Sequence, residues 1–491
     1  KTGLYVYVNG QQVGYSEDSK NPADFLINEY VHPGKDNVIT FVIYKYSSGS
    51  YLEDQDMWRL GGIERDIVLY SQPKCHIRDF KVVSTLDDAY ETGILRVTAN
   101  IINHCEKGAH EVELSYELVD AKKNVVAKGQ TAGNVEQNHE IVLKFEEAKI
   151  EKVAKWSAEH PNLYTLLLTL KKKGESKPLE IVSFRIGFRR EEFTIVKFNG
   201  KDYKVLLFNG QQVIYKGVNI HEHDEHTGHY VSEEIRLKDI ELWKKYNFNA
   251  LRFSHYPQCR RLYELCDEYG LYVVSECNIE SHGMDYELRV GGTLGNAPEW
   301  LDAHMDRTKN MYERSKNYAC VTFFSLGNEA GNGYNFYMTY NYLKENEVGQ
   351  QNRPVNYERA EKEWNTDMLV NMYPKAEWME RKGELSTDRP IVPCEYSHAM
   401  GNSNGNFDRF WRAIYKYPNL QGGFIWDWVD QGILETGKGG RKYWTYGGDY
   451  GKNPPSDGNF NINGCVNPDR DPHPAMAEFK HTQQDVDFKA V

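Results

Sequence analysis

Apolar and polar residues alternate over the first third of the chain and then give way to a longer rhythm, a change that predicts two kinds of architecture. Residues 1–73 read as short strands such as Leu4-Tyr5-Val6-Tyr7-Val8, with turn signals at Asn9-Gly10, His32-Pro33-Gly34 and Ser48-Gly49. Period-two alternation broken by such turns predicts an antiparallel sandwich. The chain opens directly on a strand, so it is expected to begin inside this domain, with no signal peptide in view. Residues 74–191 add further alternating runs, including Glu111-Val112-Glu113-Leu114-Ser115-Tyr116 and Leu163-Tyr164-Thr165-Leu166-Leu167-Leu168, at the spacing of an immunoglobulin-like sandwich.

From 192 to 491 strand-like runs alternate with helical ones, the pattern of a parallel sheet with crossover helices. Strand ends fall near Val218-Asn219, Arg252-Phe253-Ser254, Val274-Ser275-Glu276, Leu326-Gly327-Asn328, Val355-Asn356-Tyr357, Asn371-Met372-Tyr373, Cys394-Glu395 and Trp426-Asp427-Trp428. Eight strands are what a closed (β/α)8 TIM barrel requires. One helix carries the stripe Leu262, Leu265, Cys266 and Tyr269, stopped by Gly270, and another starts at Ser232 with Glu233 and Glu234 in its first turn.

Composition narrows the class. A length of 491 residues calls for more than one core. With 40% apolar and 26% charged residues and no apolar run of about 18, the chain reads neither as disordered nor as membrane-spanning. A net charge of -12 argues against a nucleic-acid partner and suits a neutral small-molecule substrate. The eight cysteines form no CxxC pair and read as free thiols. Abundant tyrosine and tryptophan suit sugar stacking and sandwich cores equally.

The chemistry lies at the strand ends, where barrel enzymes keep their catalytic groups. Glu329 follows Val321-Thr322-Phe323-Phe324 and the turn Ser325-Leu326-Gly327-Asn328, and Glu395 follows Ile391-Val392-Pro393-Cys394. Glycoside hydrolysis with retention needs one carboxylic acid for the leaving oxygen and one carboxylate for the anomeric carbon, about 5–5.5 Å apart. Asn278-Ile279-Glu280-Ser281-His282-Gly283 sets a carboxylate and an imidazole past a third strand, at a spacing that reaches one divalent cation; a buried acid beside a structural histidine has the same pattern. His221-Glu222-His223-Asp224-Glu225-His226 is not an HExxH zinc motif, because position 225 is Glu. Contact with a hydroxylated ligand fits His221, and exposure fits His223 and His226. Arg252 and His255 end a strand facing the same mouth, and Trp426 offers either a stacking floor or a core residue.

These motifs, with Tyr51-Leu52-Glu53-Asp54-Gln55-Asp56-Met57-Trp58-Arg59 and Asp471-Pro472-His473-Pro474, resemble the large bacterial β-galactosidases of glycoside hydrolase family 2 over nearly the whole chain. The resemblance implies a partial jelly-roll sandwich, an immunoglobulin-like sandwich and a catalytic TIM barrel. It implies a retaining exo-β-galactosidase for lactose-like terminal β-galactosides. Glu329 would be acid/base, Glu395 the nucleophile and Tyr373 the hydroxyl that bonds it. Galactose contacts would come from His221, His255, Asn328, His398 and Trp426, with Arg252 in support. Glu280, His282 and Glu329 match magnesium ligands; Asp56, the Phe460 carbonyl and Asn463 match a sodium site for the sugar 6-hydroxyl. The same resemblance implies that relatives extend beyond this chain at both ends and that a homo-oligomer is compatible, while the compartment stays open. The alternatives are a β-glucuronidase or β-mannosidase specificity and a non-catalytic galactoside-binding fragment.

Overall fold

The computed structural model of the chain describes residues 2–105, 108–284, 293–385, 388–451, 457–486 and 488. The first region forms a three-stranded antiparallel sheet in the order Gln11–Ser16, Gly3–Val8, Ile39–Tyr44. Asn9 and Gly10 both take positive φ, 51° and 81°, the backbone that a two-residue primed hairpin turn demands. The Ser48-Gly49 signal is not a hairpin turn: Ser48–Leu52 is a 3-10 helix, capped by Ser47 through the Gly49 amide.

Beyond Leu52 the chain leaves this sheet and runs across the barrel mouth. The Glu280 amide donates to the Leu52 carbonyl (2.9 Å), the Asp54 amide to the Glu280 carbonyl (3.1 Å), and Glu280 in turn bridges in parallel to Asn328. Residues 52–54 thus extend the barrel sheet by backbone pairing. Buried Arg307 fixes the join, giving Nη1 bonds to Glu53 Oε1 (2.8 Å) and the Asn278 carbonyl (2.9 Å).

The second region is a two-sheet sandwich. One sheet has the order Pro178–Ile186, Tyr164–Lys172, His110–Val119, Val125–Val135; in the other, Cys75–Leu86, Gly93–Asn103 and Glu140–Lys144 are neighbours, and Ala148–Ile150 also pairs with Gly93–Asn103. Strict alternation pays off here: Leu95, Val97, Ala99 and Ile101 of one sheet and Leu114, Leu118, Leu166 and Leu168 of the other are all buried in one core.

The third region is the barrel. Six parallel strands run in the order Val355–Asn356, Val321–Ser325, Tyr272–Glu276, Ala250–Arg252, Tyr215–Asn219, Gly422–Ile425. Two short segments close the ring through the parallel bridges Leu369–Ile391, Met372–Glu395, Ile391–Leu420 and Tyr396–Ile425. The six strands are buried along their whole length, which is why they read as apolar runs without alternation.

Helix signals hold at their ends. The Ser232 hydroxyl accepts the Ile235 amide ahead of helix Glu233–Lys245. Gly270 ends helix Arg260–Tyr269 at φ 72°, where a Cβ would stand 2.5 Å from the Ala158 carbonyl, so glycine is required twice over. The apolar stripe needs one correction: Tyr269 is 46% exposed, and buried Tyr263 takes its place against the core. Its phenol reaches Ser275 on the neighbouring strand, a tertiary bond that overrides spacing.

Candidate active site

The C-terminal strand ends converge on a cavity of about 190 Å³ lined by Glu329, Glu395, Asn328, His255, His398, Tyr373, Trp426, Phe460 and the acidic group around His282. Glu329 reaches it through a strained turn. Gly327 adopts φ 149°, with room for no Cβ beside the Ile279 carbonyl (2.7 Å), and the Asn328 amide donates to that same carbonyl. Glu329 itself sits at φ 33°, its amide held by Glu358 Oε1 at 2.8 Å.

The two glutamates occupy opposite electrostatic settings. Glu395 Oε1 accepts from Arg252 Nη1 (2.8 Å), and its Oε2 from the Tyr373 hydroxyl (2.6 Å), so strong donors address both oxygens. Glu329 is held above the usual carboxylate range, first by burial and then by the charge of Glu395, with His282 and Arg359 pulling the other way. Its oxygens lie 3.2 Å from His282 Nδ1 and 3.3 Å from Arg359 Nη2. Glu395 is thus met by two strong donors, whereas Glu329 is raised by burial and by the negative charge beside it.

Arg252 organises the floor. Only 2% exposed, it forks onto Glu276 (2.8 and 3.0 Å), touches Asn219 Oδ1 and Asn328 Oδ1, and reaches Glu395. Glu276 also accepts from His255 Nδ1 at 2.7 Å; burial opposes its ionisation, but Arg252 and His255 hold it below the ordinary range. His255 stacks parallel on Trp426, centroids 5.1 Å apart, making one flat wall. His221 stands behind that wall, edge-on to both rings, and does not line the cavity.

On the opposite side Asp56, Glu280, His282 and Glu329 bring four ligand atoms within 4.8 Å of one another. Glu280 is buried, its Oε2 has no protein partner among the described residues, and burial with the charges of Asp56 and Glu329 drives its proton affinity far up. His282 is raised to about 9 by its bond to Asp56 and by the charge of Glu329. Three carboxylates and an imidazole are a hard, oxygen-rich donor set that fits a divalent cation. The sodium set is assembled only in part. Asp56 stands with Glu280, His282 and Glu329, and the Asn463 amide nitrogen donates to the Phe460 carbonyl, although Asn463 Oδ1 is buried with no protein partner among the described residues.

Two further expectations need adjustment. His223 is not exposed: it is fully buried, Nε2 facing the Gly432 carbonyl at 2.9 Å, and burial pushes it down to about 3. His226 is exposed as expected. Sequence reasoning assigned no role to Glu276, Glu358, Arg359 or Tyr256. Glu276 alone carried a signal, since it ends a strand.

Comparison with known proteins agrees with this architecture. Family models match in three consecutive blocks: glycosyl hydrolases family 2, sugar binding domain, over 2–73; glycosyl hydrolases family 2 over 75–189; and glycosyl hydrolases family 2, TIM barrel domain, over 199–488. Proteins named beta-galactosidase from Priestia megaterium (42% identity over 498 residues) and Vibrio cholerae (40% over 508) cover 100% and 99% of this chain. The chain spans 47% of each of those relatives, about half their length. In fold it is similar to the crystal structure of Bacteroides uniformis beta-glucuronidase, with TM-score 0.80, 16% identity and coverage of 99% of this chain and 60% of that one. Ruminococcus gnavus b-glucuronidase superposes with TM-score 0.72 at 20% identity, over 99% of this chain and 84% of that one. The matched models cover most of the sequence, and the chain belongs to glycosyl hydrolase family 2.

Proposed function

We propose that this chain carries the active site of a retaining exo-β-galactosidase. The observation that supports it most directly is the contrast between Glu395, clamped by Arg252 and Tyr373, and Glu329, lifted by burial beside it. A carboxylate and a carboxylic acid at one cavity are the two groups that double displacement requires.

In the first step Glu395 attacks the anomeric carbon while Glu329 gives its proton to the glycosidic oxygen, which leaves as an alcohol. A glycosyl ester on Glu395 results. Glu329, now a carboxylate, takes a proton from water as the water oxygen attacks the same carbon. The sugar leaves with its original configuration, Glu395 is freed and Glu329 is again protonated. Tyr373 and Arg252 hold the Glu395 carboxylate as it attacks and again as it leaves, and the His255–Trp426 wall offers a flat surface for the sugar ring.

Magnesium would be held by Glu280, His282 and Glu329 with Asp56 beside them, supplying positive charge that offsets the converging carboxylates and tunes Glu329. Sodium, at Asp56, Phe460 and Asn463, is the second cation of this proposal. Preference for a neutral sugar is supported by the lining: carboxyl groups of Asp56, Glu280, Glu329 and Glu395 face the cavity, and no lysine or arginine stands among its described lining residues to receive a uronate carboxylate. The relatives named beta-galactosidase point the same way, and a small-molecule galactoside is the partner this reading requires.

Hydrolysis of an aryl β-galactoside, beside the matching glucuronide and mannoside, tests the proposal. The galactoside should be cleaved fastest, and Glu395→Gln should abolish turnover. Near-normal rates in that variant, or faster cleavage of either competitor, would overturn it.

A further inference from the structure

The group behind the His255–Trp426 wall is tied to the first region by a buried relay that the reaction itself does not use. Tyr256, fully buried, is its centre. Its phenol oxygen accepts the Glu222 amide at 3.2 Å, which leaves its single proton to be given elsewhere. Two acceptors are in reach: His221 Nδ1 at 3.1 Å and Met57 Sδ at 3.7 Å. An imidazole nitrogen is the far stronger acceptor, and it is also closer.

His221 is neutral in this setting. Burial pushes its proton affinity well down, and His255, His229, Lys20 and Arg252 push it further in the same direction. A neutral imidazole that accepts at Nδ1 carries its proton at Nε2. That atom is buried and has no protein partner among the described residues, beside His255 and Trp426.

We propose that Tyr256 is a positioning residue that locks His221 as the Nε2–H tautomer, so that the ring behind the sugar wall is held in one orientation with its donor edge defined. The relay is anchored from outside the barrel. Lys20 Nζ lies 4.2 Å above the Tyr256 ring and 3.3 Å from Glu222 Oε2, and Arg65 gives Glu222 two further bonds of 2.8 and 3.2 Å. Lys20 and Arg65 belong to the first region, so the tautomer of a histidine at the sugar wall is set partly by that region's docking. This inference rests on the galactosidase reading only for its kinetic consequence; the tautomer itself does not.

Nitrogen-15 NMR of the full chain with labelled histidine tests it directly, with His221→Gln identifying the His221 signals. In the unsubstituted chain Nδ1 should show the shift of a bare acceptor and Nε2 that of a protonated nitrogen. A proton on Nδ1, or a rapidly mixed tautomer, would refute the proposal whatever the enzyme hydrolyses. In Tyr256→Phe the tautomer should become mixed. Loss of one neutral positioning bond predicts a rise in KM of about three- to tenfold for the galactoside, with kcat within about twofold. A merely structural role would instead lower thermal stability and leave both the tautomer and KM unmoved. If Tyr256→Phe does not fold, the measurement on the unsubstituted chain still decides. If the unsubstituted chain cleaves no galactoside, the functional reading fails while the tautomer remains measured.

Discussion

Glu222→Gln is the substitution that most directly asks whether the first region is held to the barrel by charge. Glu222 is 3% exposed and meets Arg65 Nη2 at 2.8 Å and Lys20 Nζ at 3.3 Å, across about 150 and 200 residues of sequence. Burial opposes its ionisation, but Arg65 and Lys20 hold it at about 2, against an ordinary glutamate value of 4.5. That gap is worth about 3 kcal/mol at neutral pH, since each pH unit counts for about 1.4 kcal/mol. Removing the charge also strips a partner from Arg65 and Lys20, and breaking a buried pair on one side costs about 3–5 kcal/mol. Lys20 keeps Glu64 at 2.6 Å, which places the expected loss at the lower end, about 3 kcal/mol. The sign follows from a depressed folded-state value: the stabilisation is complete above the unfolded value near 4.5 and disappears as pH falls through about 2. The difference between the two proteins in urea midpoint, converted to free energy, should therefore be largest at pH 7 and less than half as large at pH 3. Hydrogen exchange of the Asp54 and Glu280 amides reports the same loss locally, because these two amides make the backbone bonds that pair residues 52–54 with Glu280. A difference under about 1 kcal/mol at pH 7, or one that does not shrink on acidification, would refute the reasoning.

The remaining expectations concern the two carboxylate centres. Glu329→Gln should slow hydrolysis of a lactose-like substrate by about 10²- to 10⁴-fold while an aryl galactoside with an acidic phenol is cleaved far less slowly, because only the poor leaving group needs the proton; equal slowing of both would remove Glu329 as the acid. Glu280→Gln should raise the melting temperature in chelator by relieving repulsion with Asp56 and Glu329, and should abolish the added stability that magnesium confers, about 2.7 kcal/mol at a hundredfold excess over Kd. Magnesium stabilisation that survives this substitution would place the cation elsewhere.

How much of this was legible in the sequence differs from residue to residue for physical reasons. Strand ends were legible because fully buried parallel strands are rich in apolar residues and show no alternation, so the polar turn after such a run marks the mouth; Asn328-Glu329 follows Val321–Ser325 in that way. Helix ends were legible where a single local bond decides them, as at Ser232, or a single backbone conformation, as at Gly270. Tyr269 was misplaced because its spacing fits the stripe, whereas Tyr263, which does not, is placed in the core with its phenol on Ser275 of another element. His223 failed for a related reason. A histidine in a polar run reads as exposed, and what buries it is the Gly432 carbonyl more than 200 residues away.

The same logic explains why the motif reading identified the two carboxylates and not what makes them differ. Glu329 and Glu395 are chemically identical, and each stands at a strand end. Their contrast comes from Arg252 and Tyr373 around one of them, and around the other from burial and the charge of Glu395, which His282 and Arg359 oppose. Arg359 lies in the 3-10 turn Glu358–Ala360 just past the strand Val355–Asn356, and reaches Glu329 Oε1 at 3.3 Å. Asp56 is the extreme case: it is brought to the acidic group by residues 52–54, which pair backbone to backbone with Glu280 and are fixed there by Arg307. Local sequence fixes which groups are offered to the cavity. Their surroundings are set by partners distant in sequence, so a substitution in the 52–57 arm should perturb the barrel's chemistry without touching a barrel residue.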